Sequence, residues 1–205
     1  MAVVKAAQAE RETKGERTRR RIMAEARAMI DEMGIEAISQ EAVARRVGIT
    51  QSALRHHFPT RDGMFDAIFD HVFASFYRSG EAILLETGLE PRQRLIRLCE
   101  LHLNYVRRES DRVALESFAH YLHKPDLFAR QSHWYHWIAG HYAALLGAIR
   151  PDLSEAARNG RALAILTMSV GAWITIGRSR PDWPVLPGDA ASAGLLAAIE
   201  HLIDS

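Results

Sequence analysis

Cysteine is almost missing from this chain. A single residue, Cys99, among 205 excludes an internal disulfide framework and fits a reducing compartment. Long hydrophobic runs are missing as well. The longest apolar-rich stretch, Ala162 to Ile176, is interrupted by Thr167, Ser169 and Thr175. It falls short of the roughly 20 residues that cross a bilayer. Residues 1–21 hold no apolar export segment and turn arginine-rich instead, so a cytoplasmic protein is expected. Charge of one sign is scarce: 26 Lys/Arg stand against 25 Asp/Glu, for a net +1. Any nucleic-acid site therefore has to be a local patch. Strand signals are weak, with no alternating β-branched run between turn dipeptides. No phosphate-binding glycine loop, dinucleotide fingerprint or Ser/His/Asp hydrolase order occurs, which argues against an enzyme. What remains, 48% apolar and 25% charged, is the balance of an ordinary globular chain.

Helical periodicity fills the rest. Ile22, Ala26, Met29, Ile30 and Met33 form one apolar stripe that Gly34 ends. Ser39 is placed to cap a short helix through Val43 and Val47, stopped by Gly48. Thr50 is placed to cap another, from Gln51 to about His57, before Pro59 breaks the chain. Thr60 opens a longer helix with Met64, Phe65, Ile68, Val72 and Phe76 on its buried face. Beyond Gly80, Pro91 and Pro125 each suit a helix start, and Val113 to Leu122 marks a shorter helix between them. Pro151 closes the Pro125 helix, and Ser154 caps one reaching about Arg178. Pro181 to Gly188 reads as a loop before a last helix with Leu195, Leu196, Ile199, Leu202 and Ile203. The expectation is an all-α fold of about nine helices.

The stretch from Ser39 to His57 carries the chemistry. Two helices of about two turns joined by Val47-Gly48-Ile49-Thr50 have the helix-turn-helix spacing. Gly48 allows the tight turn a positive φ. The outward residues of the second helix suit a major groove: Gln51 for an adenine edge, Arg55 for guanine O6 and N7, with Ser52 and His56 as shorter contacts. Thr50 at the helix start and Arg61 past the turn are candidate phosphate clamps, and Arg17, Arg19, Arg20 and Arg21 crowd the first helix. Between Ile38 and Arg61, four arginines (Arg45, Arg46, Arg55, Arg61) face one Glu41, a local excess of +3. Ser39, Gln40 and His57 complete the candidate DNA-binding set with Arg17 and Arg21.

Order and spacing together resemble the TetR family of bacterial transcriptional regulators. The similarity runs from about Gly15 to Val72. It includes Met33-Gly34, Ser39, Val43-Ala44, Val47-Gly48-Ile49-Thr50, Ala53-Leu54, His57-Phe58 and Arg61-Asp62-Gly63-Met64. Arg55 stands where the family usually has tyrosine, Ser52 where it often has glycine, and Arg61 where it usually has lysine. The tyrosine commonly touches phosphate, so Arg55 either keeps that role or reads a base. Residues 1–14 lack the helical periodicity and read as a mobile arm; the resemblance implies a DNA-binding domain over 15–76 and a helical effector-binding and dimerisation domain over 77–205. It implies a homodimer through the last two long helices, bound to a palindromic operator in double-stranded DNA. A repressor released by a small molecule is expected; the alternative is a regulator of the same fold without an effector.

Aromatic and histidine residues concentrate in the middle of the chain. His102, Tyr105, Phe118, Tyr121, Trp134, Trp137 and His141, with Met168 and Trp173 further on, are candidates for a pocket taking an aromatic or amphipathic ligand. For any one of these rings, simple core filling competes with that role. His120 with His123, and His133 with His136, share helix faces, but no Cys or carboxylate cluster completes a metal set at telling spacing. No metal and no cofactor is expected.

Overall fold

In the computed structural model, residues 13–109, 111–177 and 188–205 are described. Among them the chain is all-α, with no strand. The helices are α1 (Lys14–Met33), α2 (Gln40–Val47), α3 (Gln51–His57), α4 (Arg61–Leu85), α5 (Pro91–Arg108), α6 (Asp111–Leu122), α7 (Pro125–Ile149), α8 (Glu155–Thr175) and α9 (Gly188–Asp204). A short 3-10 turn, Ile35–Ala37, follows α1. The expected arm over 1–14 and loop over 181–188 lie outside the described residues, apart from Thr13, Lys14 and Gly188. Thr13 accepts from the Glu16 backbone N–H at 3.1 Å, and Glu16 accepts from the Thr13 N–H at 2.7 Å. That reciprocal capping box fixes where α1 begins.

The chain divides into two compact units, Met1–Ile68 and Phe69–Ser205. The expected boundary after residue 76 falls inside α4, which runs without a break. Gly80 is buried within that helix. A Cβ there would touch Leu98 and Trp137, each at 3.8 Å, so its small size serves close packing.

In the first unit, Ile22, Ala26, Ile30, Val43, Leu54, Met64, Phe65 and Ile68 are essentially removed from solvent. Burial of an aliphatic or aromatic side chain contributes about 1.5–3 kcal/mol each, so this stripe holds the short helices in place. Met33 departs from the expected stripe: it is 47% exposed, because it is the last residue of α1 and the chain turns away at Gly34.

In the second unit, α5, α7, α8 and α9 share one core. Leu95, Leu98, Cys99, Ile138, Tyr142, Leu146, Ile165, Ile199 and Ile203 fill it. Burial pushes the Cys99 thiol up to about 12, which leaves it inert as a nucleophile. Arginines tie the ends. Arg94 donates to the carbonyls of Ile83 (2.8 Å), Leu84, Glu86 (3.0 Å) and Leu89 (3.1 Å), closing the connection from α4 to α5. Arg150 donates to the Asp204 carbonyl at 2.7 Å, and Arg92 pairs with the Asp204 carboxylate, so the end of α9 is pinned to α5 and α7. Leu122 is 66% exposed at the very end of α6.

Candidate functional site

The turn between α2 and α3 is built by one backbone device. Gly48 lies at φ 76°, ψ 37°. Its N–H reaches the Arg45 carbonyl at 3.2 Å, and the Ile49 N–H reaches Ala44 at 3.0 Å. This Schellman closure satisfies the free carbonyls at the end of α2 and aims the chain into α3. Thr50 then caps α3, its hydroxyl accepting from the Ala53 N–H at 3.1 Å. Leu54 is the one buried side chain of α3, while Gln51, Ser52, Arg55 and His56 are exposed. The helix thus lies on the unit by one apolar anchor and presents a polar face outward.

Side chains from elsewhere lock this arrangement. Arg19 donates to the His57 carbonyl at 2.8 Å and lies 4.0 Å over the Phe58 ring. Gln40 donates to the Phe58 carbonyl at 2.7 Å, and Arg21 to the Val47 carbonyl at 2.9 Å. Arg61 donates from Nε to the Ile38 carbonyl at 2.7 Å and from Nη2 to Ile35, with its guanidinium 4.8 Å over the Phe65 ring. Arg46 bridges α2 to α1, gripping Glu32 with two nitrogens at 2.5 and 2.6 Å and Glu25 with Nε at 3.0 Å. These bonds hold the Glu32 carboxyl below its usual range.

The second unit holds a chain of rings centred on α4. The Phe76 ring meets His102 and Tyr105 edge-on, each at 5.2 Å, and Ser75 Oγ lies 3.4 Å from the Tyr105 hydroxyl. Tyr77 packs against Trp134 at 4.0 Å and Trp137 at 3.9 Å, and Trp137 meets His141 at 4.4 Å. Burial lowers the His102 imidazole to about 4 and lowers His141 as well. Phe118 stacks on Tyr135 at 6.1 Å, and Tyr121 meets Phe69 and Phe73 while its hydroxyl faces Asp70 at 3.4 Å. Among the described residues, no three His, Cys, Asp or Glu side chains gather as a metal set. No helix among them is long and apolar enough to cross a membrane.

Residues 22–68 match the family model of bacterial regulatory proteins of the tetR family. The N-terminal unit is a tetR-family domain. No curated protein matches the chain. Solved structures share its fold over nearly its whole length. A transcriptional regulator from a Rhodococcus species is 21% identical, with a TM-score of 0.72, covering 94% of this chain and 97% of that one. A regulator from Saccharomonospora viridis, solved in complex with choline, is 20% identical with a TM-score of 0.74, covering 90% and 96%. AibR, solved with isovaleryl coenzyme A and operator DNA, is 16% identical with a TM-score of 0.70, covering 89% and 97%.

Within the tetR-type domain the structure sorts the candidate residues. Gln51, Ser52, Arg55 and His56 share the exposed face of α3; Arg17 is exposed on α1. Ser39 and Thr50 are N-caps, accepting from Ala42 and Ala53. His57 is half-buried, with its ring 5.6 Å from His56. At Arg61, expected as a phosphate clamp, two nitrogens donate to the Ile38 and Ile35 carbonyls and so also shape the unit. Gln40 and Arg21 are likewise struts. The local excess of +3 is thinner than the sequence count, because Arg46 is neutralised by Glu25 and Glu32 and Arg45 lies 3.8 Å from Glu41.

Of the ligand set, His102 and Tyr105 meet at Phe76, while Trp134, Trp137 and His141 meet around Tyr77. Phe118 stands apart with Tyr135, and Tyr121 with Phe69, Phe73 and His120. Met168 packs against the main core, and Trp173 against Leu103, Val106 and Ala172. Sequence reading missed Phe76 and Tyr77 as partners, and Gln131, which is buried on α7. The signal was available: Phe65, Phe69, Phe73, Phe76 and Tyr77 repeat at helical spacing along α4.

Proposed function

We propose that this protein is a dimeric, sequence-specific DNA-binding repressor, released from a palindromic operator by a small aromatic or amphipathic molecule. One observation carries the reading: a capped, strut-locked α3 presents Gln51, Ser52, Arg55 and His56 to solvent on a tetR-family domain. These side chains have the donors and acceptors to read base edges. Arg17 and the Thr50 hydroxyl flank them as backbone contacts. Dimerisation through α8 and α9 is supported by the exposed apolar residues Leu163 and Ile174 on α8 and by exposed alanines on α9. A dimer presents two recognition helices to half-sites about one DNA turn apart, ~34–36 Å. AibR is a chain of this fold seen with both a ligand and operator DNA, which supports effector control in the present chain. The ligand acts by preferring one conformational state by a few kcal/mol. The protein works in the cytoplasm, where its DNA is.

Selection of genomic fragments on purified protein at near-physiological salt tests this. Recovery of an inverted repeat supports the dimeric reader. Binding that is weak, sequence-blind and steeply salt-dependent would count against it. Constitutive operator binding, unmoved by any small molecule, would favour a regulator of this fold without an effector.

A further inference from the structure

The middle of α4 keeps its rings half-open. Phe65 and Phe69 are fully buried, whereas Phe73, Phe76 and Tyr77 are only half-buried. Tyr77 is the hub toward α7: its ring lies 4.0 Å from Trp134 and 3.9 Å from Trp137, and both tryptophans are half-buried too. Trp137 reaches α4 itself, where a Cβ on Gly80 would meet it at 3.8 Å. Glu81 follows, one turn after Tyr77 on the same side of the helix. Burial, and then the Glu81 carboxylate, push the Tyr77 hydroxyl up, so that carboxylate is felt at the ring cluster. Glu81 is exposed and makes no ion pair among the described residues.

We propose that Tyr77, Trp134 and Trp137, with the carboxylate of Glu81, bind an organic cation: a protonated or quaternary amine carrying an apolar or aromatic group. The proposal rests on the effector reading above and gives the effector its charge. The faces of these rings are electronegative and attract a cation within about 6 Å, Trp most strongly. The charges around the cluster agree. Positions 131–149 of α7 hold no Asp, Glu, Lys or Arg. His141, against Trp137, has its imidazole pKa lowered by burial, which disfavours a competing positive charge there. Arg97 is paired with Glu86 at 2.7 Å, and Arg94 is held on the carbonyls that close the connection from α4 to α5. Arg78 points about 100° around the helix from Tyr77, against about 40° for Glu81. The open charge on the Tyr77 side of α4 is therefore negative. An anion there meets a carboxylate and ring faces that both repel it. An uncharged ring gains apolar contact and nothing from Glu81.

Three probes of one size test the proposal: benzylammonium, benzyl alcohol and benzoate. Each is titrated calorimetrically into the full chain without DNA at pH 7. Benzylammonium should bind about three- to thirtyfold tighter than benzyl alcohol, and benzoate weakest. Glu81→Lys, at an exposed position, should erase the preference for the cation while leaving benzyl alcohol unchanged. Trp134→Leu should weaken benzylammonium more than benzyl alcohol, with folding of both variants checked by circular dichroism. Equal or tighter binding of benzyl alcohol or benzoate overturns the proposal. So does the absence of saturable benzylammonium binding up to about 10 mM, or a cation preference that survives Glu81→Lys. The effector reading fails separately: benzylammonium that binds in the expected pattern but leaves operator affinity unchanged refutes ligand release and leaves the site standing.

Discussion

Replacing Gly48 with alanine asks whether the turn between α2 and α3 depends on backbone conformation alone. Gly48 lies at φ 76°, ψ 37°, and a Cβ built on it meets nothing within 4 Å. Steric contact therefore adds nothing to the cost. What remains is the left-handed penalty of an L-residue, about 1–2 kcal/mol. Alanine recovers about 0.4–1 kcal/mol of that, because its unfolded chain has less entropy to lose. The expected net destabilisation is about 1 kcal/mol. Asparagine, which tolerates this conformation, should lose less. Gly88 supplies the control, since it has φ 84° and equally open space. Gly88→Ala should cost a similar amount of stability in the second unit, yet leave DNA binding untouched. Urea unfolding followed by circular dichroism reads the stability, and fluorescence anisotropy on a labelled operator reads the binding. A Gly48→Ala protein as stable as its parent, or an asparagine variant weaker than the alanine one, refutes the reasoning.

Arg55→Ala should weaken operator binding by about 1–3 kcal/mol and relax preference at one base position, with melting unchanged; equal affinity across all operator variants would exclude a base contact. Arg61→Ala should instead lower stability by about 2 kcal/mol, through two lost bonds to carbonyls and a lost ring contact, seen as an earlier urea midpoint; an unchanged midpoint would remove its strut role. His102 has a pKa of about 4 when folded, against 6.5 for the free group. Above pH 6.5 both states are neutral and no penalty applies. Between pH 6.5 and 4 only the unfolded chain takes up the proton, so stability should fall by about 1 kcal/mol per pH unit, to roughly 3 kcal/mol in all. Stability curves that stay parallel for the parent and His102→Phe across that window would contradict this. Leu163→Asp with Ile174→Asp should shift the protein toward monomer in sedimentation velocity, because both residues sit exposed on α8; an unmoved dimer would place the interface elsewhere.

Helix positions were readable from sequence because each rests on local chemistry. Ser39, Thr50 and Ser154 cap the helices their positions suggested. Gly48 ends α2 for the reason its type implies. The exposed face of α3 follows from 3.6-residue periodicity around Leu54. Partnerships distant in sequence were not readable. Nothing in the sequence around Arg61 announces that it donates to the carbonyls of Ile35 and Ile38. Arg46 counted as positive surface until Glu25 and Glu32, two turns apart on α1, closed on it. The pocket reading named rings by density along the chain, whereas the actual neighbours come from α4, more than 50 residues before Trp134.

The brevity of α3 has a consequence for how such a protein acquires new operators. Seven residues are too few for a helix to stand alone in water. Its form is imposed by the Thr50 cap, by Leu54 and by the Arg19 and Gln40 bonds at its end. None of these supports is among Gln51, Ser52, Arg55 and His56. Those four positions can therefore be exchanged in combination at small cost to stability, as substitutions at exposed sites generally are. Recognition is in this sense a replaceable inscription on a fixed mount: a library randomised at these four residues should fold throughout and differ only in the DNA it selects.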